Sequence, residues 1–325
     1  QARQAPQPSR QDAVRAGGAK VIRRGGMMRD ADLFPGFRSL RIEGDGATVA
    51  LACGGSGPPL LLLHGYPQTH AMWHRIAPAL ARRYTVVCAD LRGYGDSSKP
   101  PTDASHAPYS KRAMAADMVT VMRSLGHPRF RLVGHDRGGR VAHRLAVDHR
   151  DAVEKVAVLD IAPTLAMYEK TDRAFATAYY HWFFLIQPFD LPERMIGADP
   201  VAYLRTKIGG WGSGGTAFFD PRALAEYERC FSDPATIHAT CEDYRAAASI
   251  DLEHDAADRA AGRRVRCPLL ALWGERGVVH RLFDPLAEWR AVADDVRGRP
   301  LPCGHYLAEE APDATLAELE AFLAG

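Results

Sequence analysis

The chain has 325 residues, of which 46% are hydrophobic and 25% charged, with a formal net charge of +2. That length allows a large buried core, and the near-neutral balance gives no electrostatic case for a nucleic acid or a membrane surface as partner. No apolar run reaches the roughly 20 residues that a membrane-spanning helix needs. Six cysteines (Cys53, Cys88, Cys230, Cys241, Cys267, Cys303) contain no C-x-x-C pair, and several sit in apolar runs. Such a pattern fits free thiols in a reducing compartment, so a cytoplasmic protein is expected.

Residues 1–30 are rich in Gln, Arg, Gly and Ala and carry no aromatic residue. They read as a disordered leader or an expression-derived segment, outside the fold. Residues 41–52 supply leading strands around Gly44-Asp45-Gly46, a stretch suited to a hairpin. Short apolar runs then alternate with turns and helical patterns. Residues 60–63 run into His64-Gly65-Tyr66-Pro67, 85–88 into 90–95, and 131–133 into Gly134-His135-Asp136-Arg137-Gly138-Gly139. Residues 156–159 run into Asp160-Ile161-Ala162-Pro163, and 269–273 into Gly274-Glu275. Continuous apolar strands separated by helices predict an α/β fold with a mostly parallel, doubly wound sheet. Its functional edge lies beyond the carboxyl ends of the strands, where all these turns fall.

From 164 to 262 the strand signals stop. An aromatic cluster at 179–184, helical patterns near 223–230 and 235–248, and a Gly-rich stretch at 209–215 that reads as flexible predict a helical cap. It is inserted between core segments 31–163 and 263–325.

Gly134-x-Asp136-x-Gly138 has the spacing of a nucleophile elbow between a strand and the helical Val141-Ala142-His143-Arg144-Leu145-Ala146. The competing reading is an Asp that caps this helix. A carboxylate at an elbow displaces a leaving group at saturated carbon and forms an alkyl-enzyme ester. The backbone N–H groups of Tyr66 and Arg137 are placed to form an oxyanion hole. His305, after Pro300-Leu301-Pro302-Cys303-Gly304, is the expected base, with His64 and His135 as alternatives in turn motifs. The acid orienting it is Asp160 or, one strand later, Glu275; Asp160 is preferred because it directly ends its strand. No H-E-x-x-H spacing suggests a metal, and no cofactor is expected.

Arg137 and Arg140 are three residues apart on one helix face. Guanidinium groups beside a carboxylate nucleophile suit recognition of a small substrate carboxylate, against the plainer reading of a local ion pair.

Residues from about 30 to 325 resemble the fluoroacetate dehalogenase family of α/β-hydrolases. The resemblance rests on His64-Gly65-Tyr66-Pro67-Gln68-Thr69-His70-Ala71-Met72-Trp73-His74, Gly134-His135-Asp136-Arg137-Gly138-Gly139-Arg140, Tyr180-His181-Trp182, Cys241-Glu242-Asp243-Tyr244-Arg245 and Gly304-His305. It implies Asp136 as nucleophile, His305 as base, Asp160 as acid, and Arg137 and Arg140 as carboxylate binders. It also implies a halide site of His181, Trp182 and Tyr244 with Trp211 nearby, a small halogenated acid as substrate, and a homodimer. Such an enzyme would hydrolyse fluoroacetate to glycolate and fluoride. The alternatives are a chloro- or bromoacetate dehalogenase, an epoxide hydrolase, or, in another class, a non-catalytic binding protein of the same fold.

Overall fold

A computed structural model describes residues 21–22, 33–212 and 214–325. The leader expected over 1–30 lies outside the described residues except for Val21–Ile22 (β1). That pair forms antiparallel partners with Arg41 and Ile42, so the sheet extends into a stretch read as lying outside the fold. The other strands are Arg38–Glu43 (β2), Thr48–Gly54 (β3), Pro59–Leu63 (β4), Thr85–Ala89 (β5), Phe130–His135 (β6), Val153–Leu159 (β7), Leu269–Gly274 (β8) and Val296–Leu301 (β9). Among the described residues they form one nine-stranded sheet in the order β1-β2-β3-β5-β4-β6-β7-β8-β9. The first three pairings are antiparallel and the remainder parallel.

The central strands read as continuous apolar runs because both faces are covered. Leu60, Leu61, Leu62 and Leu63 of β4 are all fully buried, although successive side chains point to opposite faces. Register then brings distant turns together. Leu63 pairs with Gly134, His135 with Leu159, and Gly274 with Leu301. The ladder continues one residue further, with Asp136 N–H donating to Leu159 O (3.2 Å) and Asp160 N–H to Leu272 O (2.8 Å). The residues following β4, β6, β7 and β9 therefore meet along one edge.

Between β7 and β8 the described residues form helices and no strand, from Thr164–Glu169 to Ile250–Ala260. Three of these helices, Pro200–Gly209, Pro221–Phe231 and Pro234–Ala247, start in the same way. An Asp side chain caps a first-turn N–H and proline follows at once, which satisfies one orphan donor and removes another. Two points of the Gly-rich stretch have defined contacts. Gly209 ends a helix, and Trp211 O accepts a hydrogen bond from His305 N–H at 3.2 Å.

Glu309 ties the insertion to the core. Its buried carboxyl group accepts from Gln68 Nε2 (2.5 Å), after β4, and from Tyr227 Oη (2.9 Å), in helix Pro221–Phe231. Burial outweighs these donors and pushes the carboxyl group up to about 8 from 4.5. Between those values the folded chain holds a proton that the unfolded chain has released. This contribution to stability is fully present below about 4.5 and is lost as pH rises through about 8. Urea unfolding as a function of pH should show that decline, and Glu309→Gln should remove most of its slope.

Candidate active site

Asp136 joins β6 to helix Arg137–Asp148 with φ +47° and ψ −113°, a conformation that side chains rarely adopt. The surroundings enforce it through close backbone contacts. A Cβ on Gly134 would lie 2.3 Å from Gly138 O, and one on Gly138 would lie 2.4 Å from His64 O. The turn therefore admits no larger residue at either place, and it presents Asp136 beside the loop after β4. There Tyr66 N–H donates to Asp136 Oδ1 at 2.9 Å. Arg137 opens the helix, so its own N–H lacks an intrahelical acceptor. Burial opposes ionisation of Asp136, but His305 and then Arg137 hold its carboxyl below the ordinary value, so it is anionic near neutral pH.

His305 follows β9 and is almost wholly buried. Its Nδ1 donates to Asp160 Oδ2 at 2.6 Å, while Nε2 has no partner among the described residues. Asp160 is fixed in turn by the N–H of Gly274 at 3.0 Å. Glu275, the other candidate acid, is exposed. The alternative bases are otherwise engaged. His64 Nδ1 donates to Gly65 O and Nε2 accepts from Leu91 N–H, and His135 Nε2 donates to His305 O at 2.8 Å.

Arg137 and Arg140 are both buried, but they are held differently. Arg137 forms a two-pronged pair with Asp243, Nε to Oδ2 at 2.9 Å and Nη2 to Oδ1 at 2.8 Å, with its Cζ 4.0 Å from the Tyr244 ring centroid. Arg140 donates Nη1 to Ala162 O (3.2 Å) and Thr164 Oγ1 (2.9 Å), with its Cζ 4.7 Å from the Trp182 ring centroid. Arg137 Nη1 and Arg140 Nε remain without partners among the described residues. Each side chain is thus clamped with one guanidinium nitrogen in reserve. Sequence reasoning missed Asp243, although it sits inside a quoted motif, because its partners Arg137, Lys111 and Tyr94 are more than 100 positions away.

The aromatic residues of the insertion gather over these arginines. His181 lies 5.5 Å from Tyr244 and 4.6 Å from Trp211 between ring centroids, and Trp211 lies 4.8 Å from His305. Both ring nitrogens of His181, Trp182 Nε1 and Tyr244 Oη are buried without partners among the described residues. Burial, then Lys207 and Arg137, push the His181 imidazole well below its ordinary value, so it is neutral with one N–H to give. Burial and Asp136 raise Tyr244, which stays a phenol. Three neutral donors converge beside an anionic carboxylate and two guanidinium groups.

A model described as the alpha/beta hydrolase fold matches residues 58–312, in agreement with the sheet and the elbow. An α/β-hydrolase structure from Nostoc sp. PCC 7120 superimposes with a TM-score of 0.87 at 59% identity, covering 88% of this chain and 98% of its own. A fluoroacetate dehalogenase from Burkholderia sp. is 50% identical over 90% of this chain and 95% of its own length. A soluble epoxide hydrolase from Corynebacterium sp. strain C12 is 36% identical over 79% and 87% respectively. The chain belongs to the α/β-hydrolases and, within them, to the fluoroacetate dehalogenase family.

The Arg137–Asp243 pair carries a direct test. Replacing Asp243 with Asn leaves a buried guanidinium without its counter-charge, which costs about 3–5 kcal/mol. Urea unfolding of Asp243→Asn should show a loss of that order, and Lys111, which also pairs with Asp243, would share in it.

Proposed function

We propose that the chain hydrolyses fluoroacetate to glycolate and fluoride through an ester on Asp136. The observation that carries this reading is the set of buried, unpartnered donors at His181, Trp182 and Tyr244, gathered around Arg137 and Arg140. A buried donor left without an acceptor costs roughly 1–3 kcal/mol. Such a cluster is reasonable where an anion forms during the reaction.

Arg137 Nη1 and Arg140 Nε bind the substrate carboxylate and aim its α-carbon at Asp136. An Asp136 oxygen attacks from behind the C–F bond. The new C–O bond forms as the C–F bond breaks, and fluoride leaves with the bonding pair. A substituted carbon is inverted. His305 Nε2 then takes a proton from water as the water oxygen attacks the Asp136 carboxyl carbon, and Asp160 stabilises the imidazolium. The N–H groups of Tyr66 and Arg137 meet the resulting oxyanion. Collapse expels the glycolate oxygen, which takes the proton held by His305 and leaves Asp136 as the carboxylic acid. The freed His305 then passes the second water proton from Asp136 to solvent, which restores the carboxylate. Hydrogen bonds to a charged acceptor contribute about 1.5–3 kcal/mol each. If three strengthen as fluoride departs, the barrier falls by ~4–9 kcal/mol, or roughly a thousandfold to a millionfold in rate.

Two related readings stay close. The same site would release chloride or bromide, better leaving groups that depend less on the three donors. Epoxide hydrolysis is favoured by the Corynebacterium relative. An epoxide brings no carboxylate, however, and would leave the reserved N–H groups of Arg137 and Arg140 unmatched. The proposal extends to a homodimer in the cytoplasm. Phe189, Leu191 and Met195, large apolar side chains left exposed, lie within one short stretch of the insertion and suit a contact between copies. Among the described residues, no helix is long and apolar enough to cross a membrane.

A fluoride electrode with fluoroacetate tests the reading, and no release by folded protein would overturn the fluorine claim. Chloroacetate and a simple epoxide, assayed in parallel, separate the rivals. Asp136→Asn should lower turnover by on the order of a thousandfold or more. With His305→Asn, intact-mass analysis should show the ester accumulating on Asp136, and its absence would count against the covalent route.

A further inference from the structure

Lys207 lies in helix Pro200–Gly209 with 2% of its surface exposed, and its Nζ has no hydrogen-bond partner among the described residues. A lysine can usually extend its ammonium to water along its flexible stem, so a buried one without an acceptor calls for a reason. Its neighbours supply one. Nζ stands 3.6 Å from the centroid of Trp211 and 4.9 Å from that of Tyr180. Trp211 is edge-on to His181 at 4.6 Å and to His305 at 4.8 Å, within the candidate site. Tyr180 is 46% exposed. The amine therefore occupies the step between the halide donors and a ring at the surface.

We propose that Lys207 is an anion-relay residue, pairing in passing with the carboxylates and halide that move between solvent and the donors His181, Trp182 and Tyr244. The proposal rests on the reading of this site as one that takes in and releases small anions. Fluoroacetate, glycolate and fluoride all carry a negative charge, and the Asp136 carboxylate opposes the passage of each of them to and from Arg137 and Arg140. Burial lowers the Lys207 ammonium to about 6, and only the Asp136 carboxylate opposes that shift. An arriving anion supplies the missing counter-charge and favours the protonated amine, so the cation is present when an anion is there to use it. Methionine in the same place would pack on Trp211 equally well without an amine to desolvate. A purely structural cation–π contact with Trp211 is the competing account.

Glycolate and chloride binding, followed by tryptophan fluorescence, tests the relay without turnover. Lys207→Met should weaken both by about tenfold and lower kcat/KM for haloacetate by a similar factor, with the loss falling mainly on KM. Lys207→Arg should restore much of it, and if the Met variant does not fold, Lys207→Gln is read in the same way. Unchanged anion affinity and kcat/KM in a folded Lys207→Met variant would overturn the relay. So would a loss confined to kcat that Lys207→Arg does not recover. Wild-type protein that releases no halide, yet binds glycolate in a Lys207-dependent way, would overturn the proposed reaction and leave the relay standing. Halide release indifferent to Lys207 would do the reverse.

Discussion

A carboxylate held as an anion away from bulk water sets the terms for everything around it. Asp136 is 1% exposed, and burial alone would favour its neutral form. Neighbouring groups, His305 first and then Arg137 and Arg140, reverse that preference, so all three must themselves be buried and held in place. Each has its own support in Asp160, in Asp243, and in Ala162 and Thr164. The outcome is a layered polar network in which a charge at the centre dictates partners two residues removed. Such networks are costly when incomplete, which explains why so many titratable groups near the elbow are nearly inaccessible to solvent.

The sheet makes this arrangement possible. Its parallel strands end together, so turns that begin at His64, Asp136, Asp160 and Pro302 meet without long excursions of the chain. The helical insertion then closes over that edge. Around Asp136 it brings unpartnered donors, together with the Lys207 amine and the anion Asp243, which faces Arg137. The division has a physical logic. The core supplies charges whose aim must hold to within about 0.5 Å. The insertion supplies aromatic N–H and O–H groups that exclude water while offering hydrogen bonds to whatever anion forms.

Much of the fold and the candidate site was legible in the residues because the relevant signals are local. The run 60–63 is apolar at every position, which marks a strand covered on both faces. Gly134 and Gly138 frame Asp136 at the spacing that a tight elbow requires. The leader shows the opposite case. Val21–Ile22 is too short to carry a strand signal, and only pairing with β2 makes it one. The Gly-rich composition of 209–215 gave no sign that Trp211 O would accept a backbone bond from His305. Glu309 and Lys207 gave no local sign, since an acidic and a basic residue on helices are ordinarily solvated.

The sequence by itself determined the chemistry on offer at the elbow, through the carboxylate, the two flanking arginines and the glycines that let them approach. It also determined the alternation of strand and helix that gathers the turns at one edge. Only the tertiary structure decided which groups are free to act. It committed most of Arg137 to Asp243, preferred Asp160 to Glu275 as the partner of His305, and left His181, Trp182, Tyr244 and Lys207 without hydrogen-bond partners among the described residues. Burial and partnership depend on residues far apart in the chain, and no local pattern records them.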